Sequence, residues 1–183
     1  MAAKRGWSIR QLASTGVKPD TVRMMDELEQ LAERLAARLL TEQLKLAAAE
    51  SCTGGWIAKV LTDIAGSSVW FDRGFVTYSN RAKQEMLGVK PETLAAHGAV
   101  SEAVVREMVA GALVHSQAEL ALSVSGVAGP GGGTPEKPVG TVWFAWQLRG
   151  DEAVAARHRF AGDREAVRRQ AVRVALQGVL ALL

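Results

Sequence analysis

Residues 44–60, LKLAAAESCTGGWIAKV, limit the possible folds of this chain more than any other segment does. A short apolar run ends in a hydroxyl, a thiol and a second hydroxyl at residues 51–53, and apolar residues with helical spacing follow Gly54 and Gly55. A short apolar run bounded by glycine is typical of a buried strand. The segment therefore predicts a buried strand that leads directly into a helix beginning near Gly54.

A strand-to-helix junction of this kind is suited to binding an anion. The first N–H groups of a helix have no partner within the helix, and the helix dipole places roughly half a positive charge there. Glycine also allows a ligand to approach the backbone closely. We therefore predict that Thr53, Gly54 and Gly55 offer N–H groups to a phosphate or to the oxyanion of an acyl-transfer intermediate. An ordinary N-cap at Ser51 or Thr53 is the equally good alternative.

Length and charge place the chain among globular proteins with one domain. Its 183 residues suit a leader without periodicity at residues 1–19 and a single domain at residues 20–183. The formal net charge is only +3, and no basic run with interleaved aromatic residues is present, which favours a small anionic partner over nucleic acid. No segment approaches the ~20 apolar residues of a membrane span, and Cys52 is the one cysteine. We expect a cytoplasmic protein that does not bind membranes.

Helical and strand patterns alternate over much of the chain. Helices are predicted at residues 20–40 (capped by Asp20 or Thr21), 56–64, 80–87 (capped by Asn80), 91–97, 101–116 and 163–183. Strands are predicted in the apolar run before Ser51 and at residues 69–78, 120–125, 139–148 and 152–160. The last two strands form a hairpin, and residues 126–138 form a glycine- and proline-rich loop. The predicted fold is a three-layer α/β/α sandwich around a mixed β-sheet.

Ser51 and Lys83 are the first candidates for chemistry. Lys83 begins a helix just after the strand that ends at Tyr78, and neighbouring strands of an α/β sheet commonly deliver their C-terminal ends to one crevice. Desolvation can lower the pKa of a lysine enough for it to accept a serine proton, although most lysines are solvated. Cys52 is a competing nucleophile, and adjacent residues that leave a strand point to opposite sides. The pattern alone leaves the choice between Ser51 and Cys52 open.

Histidine and metal chemistry have little support in the sequence. The three histidines, His97, His115 and His158, fall in separate elements without the spacing of metal ligands. None of them has a local context that would direct it at Ser51, so lysine is the better candidate base. We expect no metal and no cofactor.

The glycine-rich loop is a second candidate anion site. Its free N–H groups and small residues suit a phosphate or a nucleotide edge, although the loop has neither a P-loop nor a Rossmann pattern. An ordinary surface loop is the equally good alternative. The candidate substrate-binding glycines are Gly126, Gly129, Gly131 and Gly132.

Several longer motifs follow one another along the chain: AESCTGGWIAKVLTDIAGSS, FDRGFVTYSNRAK, HGAVS, SGVAGPGGG, KPVGTVWFA and GDREAVRRQ. In this order they resemble the C-terminal domain of the CinA competence/damage family, and the resemblance covers about residues 32–183. In bacteria this domain also occurs alone as a nicotinamide-nucleotide amidase of the PncC type. The resemblance implies hydrolysis of the carboxamide of nicotinamide mononucleotide to nicotinic acid mononucleotide and ammonia, in pyridine nucleotide recycling, without a metal.

The resemblance also implies roles for individual residues. The serine of Glu-Ser-Cys-Thr-Gly-Gly is Ser51, and the lysine of Tyr-Ser-Asn-x-x-Lys is Lys83. A Ser-Lys amidase would use these two as nucleophile and base, with Tyr78 beside them and Asn80 at the substrate.

Two arginines of the GDREAVRRQ motif are candidates for the substrate phosphate. Arg164 and Arg168 open the last helix, and arginine–phosphate pairs are strong and often bidentate. They lie one turn apart on the same helix face, so their spacing does not choose between them.

Two other functions stay open at this point. One is a nucleotide-binding regulatory module without catalysis, which would tolerate Ser51→Ala, and the other is an amidase for a different phosphorylated amide. In each case the expected partner is a small nucleotide or a related phosphorylated molecule. We also expect a homo-oligomer, a dimer or higher.

Overall fold

A computed structural model describes residues 26–183, and its centre is a five-stranded mixed β-sheet. The strands are β1 (Leu46–Glu50), β2 (Phe71–Val76), β3 (Leu120–Gly126), β4 (Thr141–Leu148) and β5 (Val154–Arg159). They lie in the order β2-β1-β3-β4-β5. β1 is parallel to β2 and β3, whereas β4 is antiparallel to β3 and β5.

Helices cover both faces of this sheet. They are α1 (Glu27–Glu42), α2 (Trp56–Thr62), α3 (Asn80–Leu87), α4 (Pro91–His97), α5 (Glu102–Val114) and α6 (Arg164–Leu182). One face packs against α1, α2 and α6, and the other packs against α5, which α3 and α4 flank. The predicted three-layer α/β/α sandwich around a mixed sheet is therefore confirmed.

The alternation of side chains along β1 explains why this strand lies inside the sheet, between β2 and β3. Leu46 and Ala48 belong to the core under α1, α2 and α6, while Ala47 and Ala49 belong to the core under α5. A parallel strand that is buried on both faces must be apolar throughout, and β1 is apolar up to its last residue, Glu50.

The parallel strands position the site. Because β1, β2 and β3 run in the same direction, their carboxyl ends meet at one edge of the sheet. The segments that follow them begin at Ser51, Thr77 and Val127. The chemistry of the chain is therefore expected at this edge.

Some predicted element boundaries differ from the observed ones. α1 begins after Asp26, whose N–H donates to the Glu29 carboxylate, whereas the predicted caps at residues 20 and 21 and the leader at residues 1–19 lie outside the described residues. Ser79, not Asn80, caps α3, because its hydroxyl accepts the N–H of Ala82. β2 is shorter than predicted, since the residues before it, Ser67–Val69, form a 3₁₀ turn. Within residues 26–183, no helix combines the length and the apolar character needed to span a bilayer.

Candidate active site

Ser51 and Lys83 meet at the carboxyl edge of the sheet. Ser51 comes directly after β1, and its N–H donates to the carbonyl of Val124 on β3 at 3.0 Å. Lys83 comes from α3, and its Nζ lies 3.0 Å from Ser51 Oγ. The structure therefore brings the predicted nucleophile within hydrogen-bond distance of the predicted base.

Lys83 is buried without a carboxylate partner. Its side chain is 1% exposed, and Nζ donates a second hydrogen bond to the Thr77 carbonyl at 2.8 Å. No carboxylate among residues 26–183 forms an ion pair with Lys83. Burial away from water lowers the pKa of Lys83 from its usual value. The neutral amine, which is the form that accepts a proton, is therefore easier to reach in Lys83 than in an exposed lysine.

Cys52 differs from Ser51 in its interactions. Burial raises the pKa of the Cys52 thiol to about 12, so the thiol stays protonated at neutral pH. The hydrogen bonds of Lys83 go to Ser51 and Thr77. The geometry therefore favours Ser51 as the nucleophile, a choice that the sequence pattern left open.

Glu50 is a buried residue of the site that the sequence analysis missed. Its carboxylate is fully buried and accepts the N–H groups of Gly55 at 3.0 Å, Ile57 at 3.1 Å and Ala58 at 2.8 Å. These are N–H groups at the start of α2, so Glu50 neutralises the positive end of this helix. A signal was available, because Glu50 is the one charged residue of the otherwise apolar strand β1.

This carboxylate corrects the predicted oxyanion site. The N–H of Gly55 donates to Glu50, and the N–H of Gly54 donates to the Ser51 carbonyl at 3.1 Å, so neither is free for a substrate. Both glycines have positive φ, +60° and +92°, and they are needed for the turn itself. The N–H groups of Cys52 and Thr53 donate no hydrogen bond to another group in residues 26–183. They are the candidate oxyanion donors, and only that of Thr53 was predicted.

An open cleft of about 200 Å³ lies in front of Ser51. Six of the predicted site residues line it, namely Ser51, Tyr78, Asn80, Lys83, Gly126 and Arg164. Cys52, the competing candidate nucleophile, also lines it, and residues that were not predicted complete the lining, namely Ala99, Val100, Ser125 and Ala128. This volume is smaller than the roughly 300 to 1,000 Å³ of pockets that bury most of a small molecule, because the cleft is open to solvent.

Arg164 stands on the side of the cleft formed by the start of α6. Its Nη1 donates to the Gly129 carbonyl at 2.7 Å, and its Nη2 donates to the Tyr78 hydroxyl at 2.8 Å. Asp163 caps the helix by accepting the N–H of Ala166. Arg164 therefore presents a positive charge at the cleft while it ties the glycine-rich loop to Tyr78.

Arg168 does not line the cleft, although it lies one turn further along α6. Its Nε donates to the Cys52 carbonyl at 3.1 Å, its Nη2 donates to the Thr53 carbonyl at 2.7 Å, and its guanidinium lies 5.3 Å from the ring centre of Trp56. Trp56 and Arg168 line a separate groove. This placement argues against the prediction that Arg168 contacts the substrate, because its donors are directed at the backbone behind Ser51.

The glycine-rich loop contributes less than predicted. Gly126 lines the cleft, and the Gly129 carbonyl accepts a bond from Arg164. Gly131 and Gly132 are exposed and do not line the cleft. The loop therefore does not form the predicted cradle of N–H groups around the cleft.

Histidines and metal ligands are not part of this site. None of the histidines lines the cleft, and His158 packs instead against aromatic rings near β5. Within residues 26–183, no cluster of histidine, cysteine, aspartate and glutamate could hold a metal ion.

Comparison with known proteins gives consistent matches. Residues 28–183 match the family model described as CinA C-terminal domain. The nicotinamide-nucleotide amidohydrolase PncC of Escherichia coli strain K12 is 60% identical over 151 residues, which cover 82% of this chain and 92% of that protein. The protein of the same name from Pseudomonas putida is 52% identical over 158 residues, which cover 86% of this chain and 98% of that protein.

A solved structure also resembles this chain. It is the crystal structure of competence/damage inducible protein CihA from Agrobacterium tumefaciens, which superposes with a TM-score of 0.84 at 46% identity. The match covers 87% of this chain and 97% of that one.

Proposed function

The chain belongs to the CinA C-terminal domain family, and from this premise we propose that it hydrolyses the carboxamide of nicotinamide mononucleotide to nicotinic acid mononucleotide and ammonia. Relatives that are 52% and 60% identical carry the name nicotinamide-nucleotide amidohydrolase. The chain is accordingly an amidase that hydrolyses the C–N bond of a linear amide. The observation that carries the mechanism is the 3.0 Å contact between Ser51 Oγ and the buried amine of Lys83.

The first half of the reaction forms an ester on Ser51. Neutral Lys83 accepts the hydroxyl proton as Ser51 Oγ attacks the carboxamide carbon, and the carbonyl oxygen becomes an oxyanion. The N–H groups of Cys52 and Thr53 lie next to Ser51 in the chain and stabilise this charge. Lys83 then returns its proton to the amide nitrogen, the C–N bond breaks, and ammonia leaves.

The second half releases the acid. A water molecule takes the position of ammonia, neutral Lys83 accepts one of its protons, and the resulting hydroxide attacks the ester carbon. Lys83 donates this proton to Ser51 Oγ as the ester bond breaks. Nicotinic acid mononucleotide leaves, and Ser51 and Lys83 return to their starting protonation states.

The surroundings of Lys83 support its role as a base. A positive charge on Lys83 is unfavourable, because the amine is buried and has no carboxylate beside it. Lys83 is therefore expected to be neutral over a wider pH range than an exposed lysine. The Thr77 carbonyl accepts one N–H of the amine and so restrains its rotation. The lone pair is then available to Ser51.

The substrate phosphate is assigned to Arg164. This guanidinium lines the same cleft as Ser51, whereas that of Arg168 lies behind the residues that follow Ser51. Tyr78 and Asn80 line the same cleft as Ser51 and Arg164 and are expected to contact the nucleotide. Arginine pairs strongly with phosphate, often through two parallel hydrogen bonds.

Ammonia release from four amides tests the proposed substrate. The purified chain is incubated with nicotinamide mononucleotide, nicotinamide, glutamine and NAD. We expect rapid release from the mononucleotide alone. Faster release from another phosphorylated amide would assign the cleft to that amide, and tight binding of the mononucleotide without ammonia release would indicate a regulatory module.

Arg164→Ala tests the phosphate assignment. The lost contact is worth ~1.5 to 3 kcal/mol, so KM for nicotinamide mononucleotide should rise by a factor of ~10 to 100. Hydrolysis of the riboside, which has no phosphate, should change little. Arg169→Ala is the matched control, because Arg169 pairs with Asp26 outside the cleft. If Arg164→Ala raises KM for the mononucleotide and for the riboside by the same factor, the phosphate binds elsewhere.

A further inference from the structure

The turn that carries the nucleophile is held by two charged side chains of opposite sign. We call residues 51–55 the nucleophile turn. Glu50 accepts the N–H of Gly55 and then two N–H groups of α2, whereas Arg168 donates to the carbonyls of Cys52 and Thr53. One side chain thus binds donors at the end of the turn, and the other binds acceptors at its centre.

Neither side chain lines the cleft in front of Ser51. Glu50 is fully buried, and a buried carboxylate needs the hydrogen bonds that the start of α2 supplies. Arg168 lies over the ring of Trp56, which restricts the position of its planar guanidinium. Both charges therefore act on the turn from outside the substrate cleft.

Arg168 also determines the direction of a backbone N–H. In a planar trans peptide the carbonyl of one residue and the N–H of the next point in opposite directions. The Cys52 carbonyl is directed at Arg168, so the Thr53 N–H points away from Arg168. This N–H is one of the candidate oxyanion donors, and its orientation follows from the contact with Arg168.

We propose that Glu50 and Arg168 are positioning residues that hold the nucleophile turn in its reactive conformation, Glu50 by anchoring its end on α2 and Arg168 by orienting the Cys52–Thr53 peptide. This inference rests on the proposed amidase function. It assigns different roles to two arginines on the same helix: Arg164 contributes to substrate binding, and Arg168 contributes to turnover. A displacement of about 1 Å in a reactive group can cost roughly 100-fold in rate, so the turn needs such support.

The kinetic test uses Arg168→Lys and Glu50→Gln with nicotinamide mononucleotide. Lysine keeps the charge but cannot reach both carbonyls as a planar fork, and glutamine keeps the shape but replaces an acceptor oxygen with an amide group. We expect kcat to fall by about 10- to 100-fold while KM changes by about two-fold or less. Arg164→Ala should show the opposite pattern, with KM as the main change.

Matched controls lie on the same scaffold. Arg173→Lys changes another arginine of α6, whose guanidinium contacts Glu27 at 3.4 Å. Glu107→Gln changes another carboxylate at a helix start, since Glu107 accepts the N–H of Lys90 at 2.8 Å beside α4. Both controls should keep kcat and KM of the original chain.

Hydrogen–deuterium exchange provides a readout that does not depend on the substrate. Backbone N–H groups of residues 51–58 should exchange faster in Arg168→Lys and in Glu50→Gln, and those of α5 should not change. If the original chain releases no ammonia but these variants show faster exchange, the proposed function fails while the role of the two residues in holding the turn stands. If Glu50→Gln does not fold, Arg168→Lys alone decides.

Three results would overturn the inference. The first is full kcat in Arg168→Lys, and the second is a rise in KM without a fall in kcat. The third is a fall in kcat with unchanged exchange in residues 51–58.

Discussion

The pair of Ser51 and Lys83 illustrates how burial makes a lysine a candidate base. In water the charged amine is strongly favoured, but Lys83 is 1% exposed and its contacts, Ser51 and the Thr77 carbonyl, carry no negative charge. Cys52, the adjacent residue, is affected in the opposite sense, since burial disfavours its thiolate. The same loss of water therefore lowers the pKa of the proposed base, Lys83, and keeps the Cys52 thiol protonated.

Ser51→Ala is expected to lower kcat by several orders of magnitude, because the covalent nucleophile is lost. Cys52→Ala should retain most of the activity, since the Cys52 thiol is protonated and only its backbone groups belong to the proposed machinery. Ammonia release from nicotinamide mononucleotide by the two variants measures this difference. The reverse result, an active Ser51→Ala and an inactive Cys52→Ala, would assign the nucleophile to Cys52.

The rate should depend on pH through Lys83. Only the neutral amine accepts the Ser51 proton, so kcat/KM should rise with pH and level off above the pKa of Lys83, which burial lowers from 10.5. Lys83→Arg should be nearly inactive, because arginine does not lose its proton in this range. Lys59→Arg is the control, since Lys59 is an exposed residue paired with Asp63. An active Lys83→Arg with an unchanged pH profile would remove Lys83 from the mechanism.

At the scale of elements, short α2 and long α6 form the support of the site. α2 has seven residues, which is too short for stability on its own, and the Glu50 carboxylate satisfies N–H groups at its start. α6 packs on the sheet beside β4, where Trp146 Nε1 donates to the Ala175 carbonyl at 2.8 Å. The position of α6 on the sheet determines which groups Arg164 and Arg168 contact, so the packing of this helix affects the geometry of the site.

Gly178→Ala tests this packing. A Cβ at position 178 would lie 2.1 Å from the Trp146 ring, so the helix or the ring must shift. Alanine stabilises a helix by about 1 kcal/mol relative to glycine, but overpacking in a core typically costs ~1 to 3 kcal/mol. A shift of the Trp146 ring would also strain its hydrogen bond to the Ala175 carbonyl. We expect a lower Tm by thermal unfolding. Gln177→Ala, at an exposed position of α6, should not lower Tm, and a Gly178→Ala variant of equal or higher Tm would contradict the close contact.

At the scale of the whole molecule, the cleft joins both helical layers to the sheet. Lys83 comes from the layer of α3 to α5, Arg164 comes from the layer of α1, α2 and α6, and Ser51 follows β1, an interior strand of the sheet. Folding therefore buries the amine of Lys83, and the free energy of unfolding should fall at pH values where this amine must be charged. The predicted homo-oligomer and the predicted cytoplasmic location stay predictions.

Lys83→Met should reveal this cost in the pH dependence of folding. The pKa of Lys83 is lower in the folded chain than the 10.5 of an unperturbed lysine, so the unfolded chain binds more protons between the two values. The free energy of unfolding of the original chain, relative to Lys83→Met, should therefore rise with pH through the folded pKa and reach its limit near 10.5. Below the folded pKa the difference should be flat. Urea unfolding at several pH values measures it, and a difference that is constant at all pH values would show that Lys83 is not desolvated.

Local sequence determined the elements and named the candidates for the reacting pair, with Ser51 and Cys52 both left as possible nucleophiles. The observed bounds of α4 equal the predicted ones, and α3 ends at the predicted residue, because Gly88 and Gly98 follow the two helices and Pro91 suits the first turn of α4. The order of strands and helices likewise predicted the layers. Ser51 and Lys83 were predictable because each follows a strand whose carboxyl end reaches the same edge of a parallel sheet.

Only the tertiary structure decided which groups line the cleft. Arg164 and Arg168 are equivalent by helical spacing, yet one contacts Tyr78 across 86 positions of sequence and the other contacts Cys52 across 116. Helix geometry alone predicts that the N–H groups of Gly54 and Gly55 are free to bind an oxyanion, but in the structure the N–H of Gly55 donates to the Glu50 carboxylate. A periodic pattern specifies the face of an element, but the partner of a side chain depends on how distant segments pack, and that information is not local.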